Sequence, residues 1–505
     1  MTWTSAQGVT LRDLVPAADR RRWVAAGHCP DVDLFSLYCR HEAADPYRPA
    51  VVTAAGTVNR AELGERARRL AGTLRDAGHG RTDVVGVRIP NGIDAVVAEL
   101  AVAALGAVAL PIPCGRGHRD TASLLRRSRA GALLTTDPAA VRGLDLPDLR
   151  TVLAPDARGD AVRAGPVDAE APARILVSSG SEHEPKMVAY SHNAVGGGRG
   201  NYAAALYGDT AEVRALVLVP LSSSYGSLGL VTLVRQGGTL VLLERFEPAA
   251  ALAAVDRYRP THLLGVPTML RRMAELPTDA DTSSLRTVVS SAAALAPETD
   301  AAVRARFGCP VVNVYGSSDG VNCHTARGGA GVGFPDPAVA AVRLGADGEI
   351  QCRGPMTPLC YVGAPELDAA YRLPGGWVRS GDRGRFDADG SLHVVERIRQ
   401  VVIRGGYTIS PAEVERLIGG HPAVSDVACV PVPDPDLGER LCACVVARNG
   451  VTAPDLAELT AFLTARRGLE PRKLPEHLLV LDALPLGPTG KVCRHTLTRL
   501  AAGTG

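Results

Sequence analysis

Aromatic residues are scarce in this sequence. They make up 4% of its 505 residues, with 3 tryptophans and 6 phenylalanines, so alanine and valine must fill most of the interior. Hydrophobic residues still account for 46% and charged residues for 21%, which is the balance of a globular protein. A chain of this length is too long for one compact core, and two or more domains are expected.

The sequence also lacks an excess of either charge, since its formal net charge is only +2. This balance gives no electrostatic case for nucleic acid or a membrane surface as a partner. No apolar run approaches the length of a membrane span, and residues 1–13 contain no apolar signal core. These absences predict a cytoplasmic protein.

Cysteine motifs that bind metals are absent as well. The 11 cysteines include no Cys-x-x-Cys pair. Cys442 and Cys444 lie two residues apart in a valine-rich segment, where a strand would point both side chains to one face. The odd number of cysteines favours reduced thiols, as in the cytosol. The chain contains neither internal repeats nor low-complexity tracts.

Strands that alternate with helices are the main pattern up to Val314. The predicted strands are Val51–Thr53, Val84–Ile89, Gly106–Ile112, Leu216–Val219, Thr239–Leu243, His262–Val266, Thr287–Val289 and Val311–Val314, and the predicted helices are Asn59–Gly78 and Gly92–Leu105. This alternation predicts parallel sheets covered by helices, although residues 113–170 are less regular. Asp-Gly turns at Gly348 and Gly390 predict the hairpins of a β-rich subdomain.

The character of the chain changes near Gln400. The predicted elements are then Val401–Arg404, the helix Pro411–Ile418, the strands Val424–Val432 and Leu441–Ala447, the helix Ala453–Arg467, and the strand Leu478–Leu481. They predict a small α+β domain of roughly 100 residues. We therefore divide the chain into an N-terminal domain, residues 1–399, and a C-terminal domain, residues 400–505.

The first chemical motif lies between Arg174 and Asn193. The apolar run Ile175–Val177 predicts a buried strand. The turn after it consists of Ser178, Ser179, Gly180 and Ser181. Such small residues let backbone N–H groups and hydroxyls converge on an anion such as a nucleotide phosphate, and Lys186 adds a cation. Ser191-His192-Asn193 then looks like a helix cap. A turn of this composition is also common without any ligand, so both interpretations stay open.

Three further motifs follow in order. They are Asn313-Val-Tyr-Gly-Ser-Ser-Asp319, then Val378-Arg-Ser-Gly-Asp382 with Glu396-Arg397, then Pro485-Leu-Gly-Pro-Thr-Gly-Lys491. The set resembles the adenylate-forming superfamily of acyl-CoA synthetases, peptide-synthetase adenylation domains and luciferases, over almost the whole chain. The resemblance implies an α/β fold. A large N-terminal domain of parallel sheets covered by helices, plus a β-rich subdomain, would be followed by a small mobile α+β lid hinged at Gln400.

The resemblance implies a ligase that uses ATP with Mg²⁺ to convert a carboxylate into an acyl adenylate, releasing pyrophosphate. It would place adenine on Tyr315, with Asn313 and Gly316 beside it, and the ribose hydroxyls on Asp382 and Arg397. Tyr315 is also compatible with a core tyrosine at a strand end, and Asp382 with a turn residue. Their order along the chain favours the nucleotide.

Four residues would bind the phosphates, the Mg²⁺ ion or the reacting carboxylate. Lys186 would lie beside the Ser/Gly turn, and Ser318 would donate to the α-phosphate. Asp319, where most members carry glutamate, would bind Mg²⁺. Lys491 would be inserted by the lid between the carboxylate and the α-phosphate, although a lysine near a terminus is ordinarily a solvated surface residue.

Two stretches depart from the family pattern. Glu182, His183 and Met187 replace the usual threonine and two glycines of the phosphate loop. His183 removes backbone freedom, and Glu182 and Glu184 would put negative charge close to the β- and γ-phosphates. These side chains would either turn to solvent or weaken the grip on the triphosphate. At Pro220–Gly226, a serine replaces the usual histidine. The small residues expected around the acid are Ser223, Ser224, Ser291 and Cys323. Small walls leave room for a ring.

These features predict activation of an aryl, arylacrylic or alicyclic acid and its transfer to a thiol. The thiol would be coenzyme A, as a co-substrate, or the pantetheine arm of an acyl carrier protein. Nothing after Lys491 resembles a fused carrier domain, and a monomer or homodimer is expected. One alternative is non-thioester chemistry, either nitrite activation for diazotisation of an aromatic amine or amide formation. Another is a degenerate nucleotide-binding protein, which the retention of Lys186, Asp319, Asp382, Arg397 and Lys491 disfavours.

Overall fold

The computed structural model of the chain describes residues 1–156, 158–178, 185–292, 295, 297–324, 331–397, 401–485 and 494–503. The described residues form two compact units. The first comprises Met1–Cys114, Leu124–Ser178 and Lys186–Glu396, and the second includes Gly115–Ser123 and the described residues from Arg397 onward.

Strands and helices alternate through most of the first 397 residues. The strands are β1 (Thr2–Thr4), β2 (Thr10–Arg12), β3 (Pro49–Thr53), β4 (Gly56–Asn59), β5 (Val84–Arg88), β6 (Val108–Pro111), β7 (Ala132–Thr135), β8 (Thr151–Leu153), β9 (Pro172–Ser178), β10 (Lys186–Ser191), β11 (Arg214–Val217), β12 (Thr239–Leu242), β13 (His262–Gly265), β14 (Thr287–Ser290), β15 (Val311–Gly316), β16 (Asn322–His324), β17 (Ala341–Leu344), β18 (Glu349–Arg353), β19 (Cys360–Tyr361), β20 (Arg372–Leu373), β21 (Trp377–Phe386) and β22 (Leu392–Arg397). The helices are α1 (Ala17–Ala25), α2 (Leu34–Ala44), α3 (Arg60–Asp76), α4 (Ile93–Leu105), α5 (His118–Arg127), α6 (Gly200–Tyr207), α7 (Ser227–Gln236), α8 (Pro248–Tyr258), α9 (Pro267–Glu275), α10 (Pro297–Phe307) and α11 (Pro365–Tyr371). A π-helix, Ala194–Arg199, leads directly into α6.

Two large sheets form the body of the first unit. One has the strand order β19-β10-β9-β6-β5-β7-β8, and the other has the order β16-β15-β14-β13-β11-β12-β3-β4. The central strands β11 to β15 pair in parallel, as the predicted alternation requires. Helix α4 contacts β5 and β6 of one sheet and β3 of the other, and its residues Ala95–Ala104 are all buried. Because alanine is small, this helix packs closely between the two sheets.

The order of the strands brings predicted site residues to one sheet edge. Gly265, Ser290 and Asn313 lie side by side in register across β13, β14 and β15. Parallel strands present their carboxyl ends at the same edge, where ligands of open α/β sheets bind. Tyr315 lies two residues further along β15 and therefore at this edge.

The β-rich subdomain forms as predicted. Its sheet has the order β17-β18-β21-β20, and β22 pairs with β21. The two predicted turns connect β17 to β18 and β21 to β22. Gly348 and Gly390 have φ angles of 78° and 86°, a left-handed conformation that glycine adopts without strain.

The second unit contains a separate mixed sheet. Its elements after residue 400 are β23 (Val402–Arg404), β24 (Tyr407–Ile409), α12 (Pro411–Ile418), β25 (Val424–Asp434), β26 (Gly438–Ala447), α13 (Leu456–Ala461), a π-helix (Phe462–Arg466), β27 (His477–Leu481) and α14 (Arg494–Ala502). The predicted helix Ala453–Arg467 begins three residues late because Asp455 caps it, accepting from Glu458 N at 2.8 Å. Cys442 and Cys444 share one apolar cluster with Leu497, which confirms that both point to one face.

Residues 113–170 are more regular than predicted, since they contain α5, β7 and β8. Strand β7 is four residues long and buried throughout, so it has no alternation by which periodicity could identify it. None of the helices in the described parts of the chain combines the length and apolar character needed to cross a bilayer.

Candidate functional site

Tyr315 and Asp382 meet although they come from different sheets. The Tyr315 phenol on β15 donates to Asp382 Oδ2 on β21 at 2.6 Å, and Asp382 is 3% exposed. Burial, together with the Asp382 carboxylate, raises the pKa of Tyr315 well above its usual value. The phenol therefore stays a neutral donor, and an aromatic face and a buried carboxylate lie side by side.

The backbone of β21 explains how Asp382 is presented. Gly381 has a φ of 74°, and its N–H donates to Glu349 Oε1 on the neighbouring strand β18 at 2.9 Å. The Asp382 N–H in turn donates to Ser380 Oγ at 3.0 Å. The left-handed glycine turns the chain at this point, so the carboxylate of the next residue faces β15.

Asp319 lies in a second cluster, beside two tyrosines. Tyr361 Oη on β19 donates to Asp319 Oδ1 at 2.5 Å. Lys186 Nζ at the start of β10 lies 3.9 Å from the ring centre of Tyr371, and Lys186 is 9% exposed. The cluster thus holds a carboxylate and an ammonium group among aromatic rings, an arrangement that cation–π attraction stabilises. The sequence reasoning overlooked Tyr361 and Tyr371, whose signal was their presence in a chain with few aromatics.

Tyr190 connects the first and second sequence motifs. Its phenol, on β10, donates to the Ser318 carbonyl at 2.7 Å. Burial raises the pKa of Tyr190 above its usual value. Since Lys186 begins the same strand, the predicted phosphate lysine and the Ser318–Asp319 loop belong to one packed cluster.

The residues predicted to line the acid pocket fall into two groups. Ser223 and Ser224 are half-buried on one loop, where Ser223 Oγ donates to Pro220 O at 2.7 Å. Ser291 and Cys323 are buried beside β15. Ser291 Oγ donates to Val314 O at 3.3 Å, and Cys323 pairs opposite Tyr315. The hydroxyls of Ser223 and Ser291 thus hold the backbone of the site.

A buried arginine was overlooked by the sequence reasoning. Arg199, the last residue of the π-helix, is 3% exposed and donates to Ser224 O at 2.6 Å and to Ser227 Oγ at 2.7 Å. Its guanidinium carbon lies 5.7 Å from the ring centre of Tyr190. Three successive glycines precede it, and no sequence motif distinguishes it.

The helix-cap prediction holds in part. Ser191 Oγ accepts from Ala194 N at 3.1 Å, as a cap would. The other two residues make tertiary contacts instead: His192 Nδ1 accepts from Leu34 N, and the Asn193 amide binds Asp31 N and Glu170.

Several predicted positions lie outside the described residues. They are Ser179, Gly180, Ser181, Glu182, His183, Glu184, Gln400, Lys491 and the side chain of Arg397. Of the flanking positions, Ser178 ends β9 directly opposite Lys186, and Asn313 is half-buried on β15. Gly316 is required by close packing, because a Cβ there would lie 2.3 Å from Asn322 Oδ1.

The described residues hold no group of three or more metal-ligating side chains. This fits Mg²⁺ bound with a nucleotide, because Mg²⁺ keeps several waters and takes one or two carboxylates together with phosphate oxygens. The carboxylate predicted for this role, Asp319, lies in the described part of the chain and accepts from the Tyr361 phenol.

The fold and these clusters define a nucleotide-dependent ligase, and comparison with known proteins identifies the family. The model of the AMP-binding enzyme family matches residues 39–362, and that of the AMP-binding enzyme C-terminal domain matches residues 413–491. The chain therefore belongs to the AMP-binding enzyme family, within the adenylate-forming superfamily. It is an ATP-dependent adenylate-forming enzyme that activates an acid for transfer as a thioester or an amide.

Three similar proteins illustrate the range of the family. Triostin synthetase I of Streptomyces triostinicus is 32% identical, over 96% of this chain and 97% of that protein. Feruloyl-CoA synthase of an Amycolatopsis species is 33% identical, over 91% and 97%. The solved structure of the amide bond synthetase McbA from Marinactinospora thermotolerans is 31% identical, covers 92% of this chain and 99% of that one, and has a TM-score of 0.81.

Proposed function

We propose that this enzyme adenylates an aryl, arylacrylic or alicyclic carboxylic acid and passes the acyl group to coenzyme A or to a carrier-protein pantetheine. A carboxylate oxygen bonds to the α-phosphorus of ATP as the bond to pyrophosphate breaks. The thiol then displaces AMP. The observation that carries the proposal is the loop Tyr315–Asp319, which contacts Asp382 at one end and Tyr361 at the other. One loop thus connects the proposed adenosine and phosphate sites.

The adenosine site would be formed by the first cluster. The ring of Tyr315 would lie against adenine, with Asn313 and Gly316 beside it. Asp382 would accept from the ribose hydroxyls, helped by Arg397. A buried carboxylate suits this role because hydrogen bonds to an ionised acceptor are roughly twice as strong as neutral ones.

The phosphate site would be formed by the second cluster. Lys186 and the turn Ser178–Ser181 would hold the phosphates, Ser318 would donate to the α-phosphate, and Lys491 would come from the lid. Mg²⁺, held by Asp319 together with phosphate oxygens, would offset part of the negative charge. Donors and cations aimed at the phosphate would stabilise charge as it develops in the transition state.

The acid class rests on the small residues Ser291 and Cys323 beside β15 and on Ser224 in the loop after Pro220. Small side chains leave room for a ring, and the similarity to feruloyl-CoA synthase supports an arylacrylic or related acid. Amide formation is a second candidate, supported by the similarity to McbA over nearly the full length of that protein.

The test measures ATP-dependent pyrophosphate release with panels of aryl, alicyclic, fatty and amino acids, and with nitrite plus an arylamine. Coenzyme A, a pantetheine-loaded carrier protein and a primary amine are then offered as acceptors. Release with ring-bearing acids, followed by thioester formation, supports the proposal. Release with fatty or amino acids alone would refute the acid class, and amide formation alone would favour the second candidate.

A further inference from the structure

The loop that carries Asp319 is closed by its own hydrogen bonds. Residues 317–321 connect β15 to β16, which pair as an antiparallel hairpin. The Ser317 N–H donates to Val321 O at 2.9 Å, and the Asp319 N–H donates to Ser317 Oγ at 3.2 Å. Asp319 therefore lies in a tight loop whose backbone conformation is set locally.

Two phenols from outside the loop also bind it. Tyr190 on β10 donates to the Ser318 carbonyl at 2.7 Å, and Tyr361 on β19 donates to Asp319 Oδ1 at 2.5 Å. The first bond holds the backbone next to Asp319, and the second holds its side chain. The carboxylate is thus restrained both through the chain and directly.

The fold places Tyr361 with little freedom. The residue is 3% exposed, it lies in β19, which pairs with β10, and its N–H donates to Asp368 Oδ1 at 2.9 Å. A Cβ at Gly320 would lie 2.6 Å from Pro358 Cδ, so the loop of Asp319 packs directly against the chain that leads into β19. The bond between Tyr361 and Asp319 therefore follows from the packing of two backbone segments.

The two oxygens of the Asp319 carboxylate have different surroundings. Oδ1 accepts from the Tyr361 phenol, whereas none of the described residues donates to Oδ2 or forms an ion pair with Asp319. Asp319 is also only half-buried. A carboxylate that binds a metal ion fits this pattern, because a hydrogen bond to one of its oxygens orients the other.

We propose that Tyr361 is a positioning residue for the Mg²⁺ that is bound with ATP: it holds Oδ1 of Asp319 and so leaves Oδ2 for the ion or for one of its waters. This inference rests on the proposed function, in which Asp319 binds Mg²⁺ together with phosphate oxygens. Mg²⁺ demands nearly ideal octahedral geometry and is bound by only one or two carboxylates, so the orientation of a single carboxylate matters. Tyr361 acts only through Asp319 and has no contact with the ion.

The experiment compares a ligand that carries the ion with one that does not. Isothermal titration calorimetry, without any acid present, gives Kd for MgATP and for AMP, which the adenosine site would bind without a metal. Tyr361→Phe removes the hydroxyl but keeps the ring. It should raise Kd for MgATP by about tenfold or more, the usual effect of losing an outer-shell partner of a metal ligand, and change Kd for AMP less than about threefold. The Mg²⁺ concentration for half-maximal pyrophosphate release should rise as well.

Asp319→Asn tests whether the tyrosine acts through the carboxylate. This variant should also weaken the binding of MgATP and leave that of AMP nearly unchanged. Adding Tyr361→Phe to Asp319→Asn should have little further effect on Kd for MgATP, because two residues that act through one contact do not contribute additively. Additive effects in the double variant would overturn the inference.

Tyr38→Phe provides the matched control. Tyr38 is also buried, and its phenol donates to the Arg60 carbonyl between α2 and α3. Its variant should keep both wild-type Kd values. Equal weakening of MgATP and AMP binding by Tyr361→Phe would identify a structural role, and tighter MgATP binding would mean that the phenol withholds Asp319 from the ion; either result overturns the inference. A wild type that binds neither MgATP nor AMP would contradict the proposed function instead.

Discussion

At the scale of single residues, Asp382 offers a direct test of the adenosine site. We expect Asp382→Asn to raise KM for ATP by about 10- to 100-fold, because a charge-assisted hydrogen bond contributes roughly 1.5–3 kcal/mol. KM for the acid should change little. Steady-state pyrophosphate release at varied ATP measures both constants.

Asp389→Asn is a suitable control for this prediction. Asp389 accepts from the Ser391 N–H at 2.9 Å in the turn between β21 and β22, and so has a structural role in the same subdomain. Its variant should keep the wild-type KM for ATP. An unchanged KM for ATP in Asp382→Asn as well would mean that Asp382 is a turn residue only.

A second single-residue test, the substitution of Lys491, concerns the role proposed for the C-terminal lid. Lys491→Ala should abolish pyrophosphate release from ATP and acid, because its charge would be needed only while the adenylate forms. Thioester formation from a supplied acyl adenylate should largely persist. Equal loss in both half-reactions would argue against a lysine specific to adenylation.

At the scale of elements, the π-helix depends on glycine packing. Gly198→Ala would place a Cβ 2.1 Å from the backbone nitrogen of Met356, so the helix or the segment at Met356 must move. We expect a destabilisation of about 1–3 kcal/mol, typical of overpacked cores, and a lower Tm. Thermal unfolding followed by circular dichroism measures it.

Gly80→Ala is the matched change, because a Cβ at that position meets nothing within 4 Å. Its Tm should equal that of the wild type. If Gly198→Ala unfolds at the wild-type temperature, the region around Met356 adapts to the methyl group, and the π-helix is less constrained than its packing indicates.

At the scale of the whole molecule, buried histidines link stability to pH. Burial lowers the pKa of His192 and of His262 to about 4, and Arg286 contributes to the shift at His262. Between pH 4 and 6.5 the unfolded chain therefore binds more protons than the folded one. Each neutral imidazole therefore makes its full contribution to the free energy of unfolding above pH 6.5. As the pH falls towards 4, each histidine loses about 1.4 kcal/mol of that contribution per pH unit.

Urea unfolding of the whole protein at several pH values between 4.5 and 7.5 measures this dependence. His262→Gln should make it shallower, because one of the histidines whose pKa is lowered by burial is gone. Exposed His118 is the control position, since His118→Gln leaves both buried imidazoles in place and should keep the wild-type slope. Identical slopes in all three proteins would show that other groups dominate the acid response.

The sequence by itself determined the features that depend on local chemistry. Alternating strands and helices, the two Asp-Gly hairpins and the helix Pro411–Ile418 all follow from apolar periodicity and turn residues, which act over a few positions. The motifs around Tyr315, Asp319 and Asp382 were recognisable for the same reason, since each lies within a few consecutive residues.

Contacts between residues that lie far apart in the sequence were decided by the tertiary structure. Tyr361 reaches Asp319 across 42 positions of sequence, and Arg199 meets Ser224 across 25. Burial of Arg199 without a carboxylate is likewise a property of packing, because neither its π-helix nor its neighbours follow from local pattern. The sequence thus indicated candidate residues for the nucleotide, whereas the surroundings proposed for the acid depend on which side chains the fold encloses together.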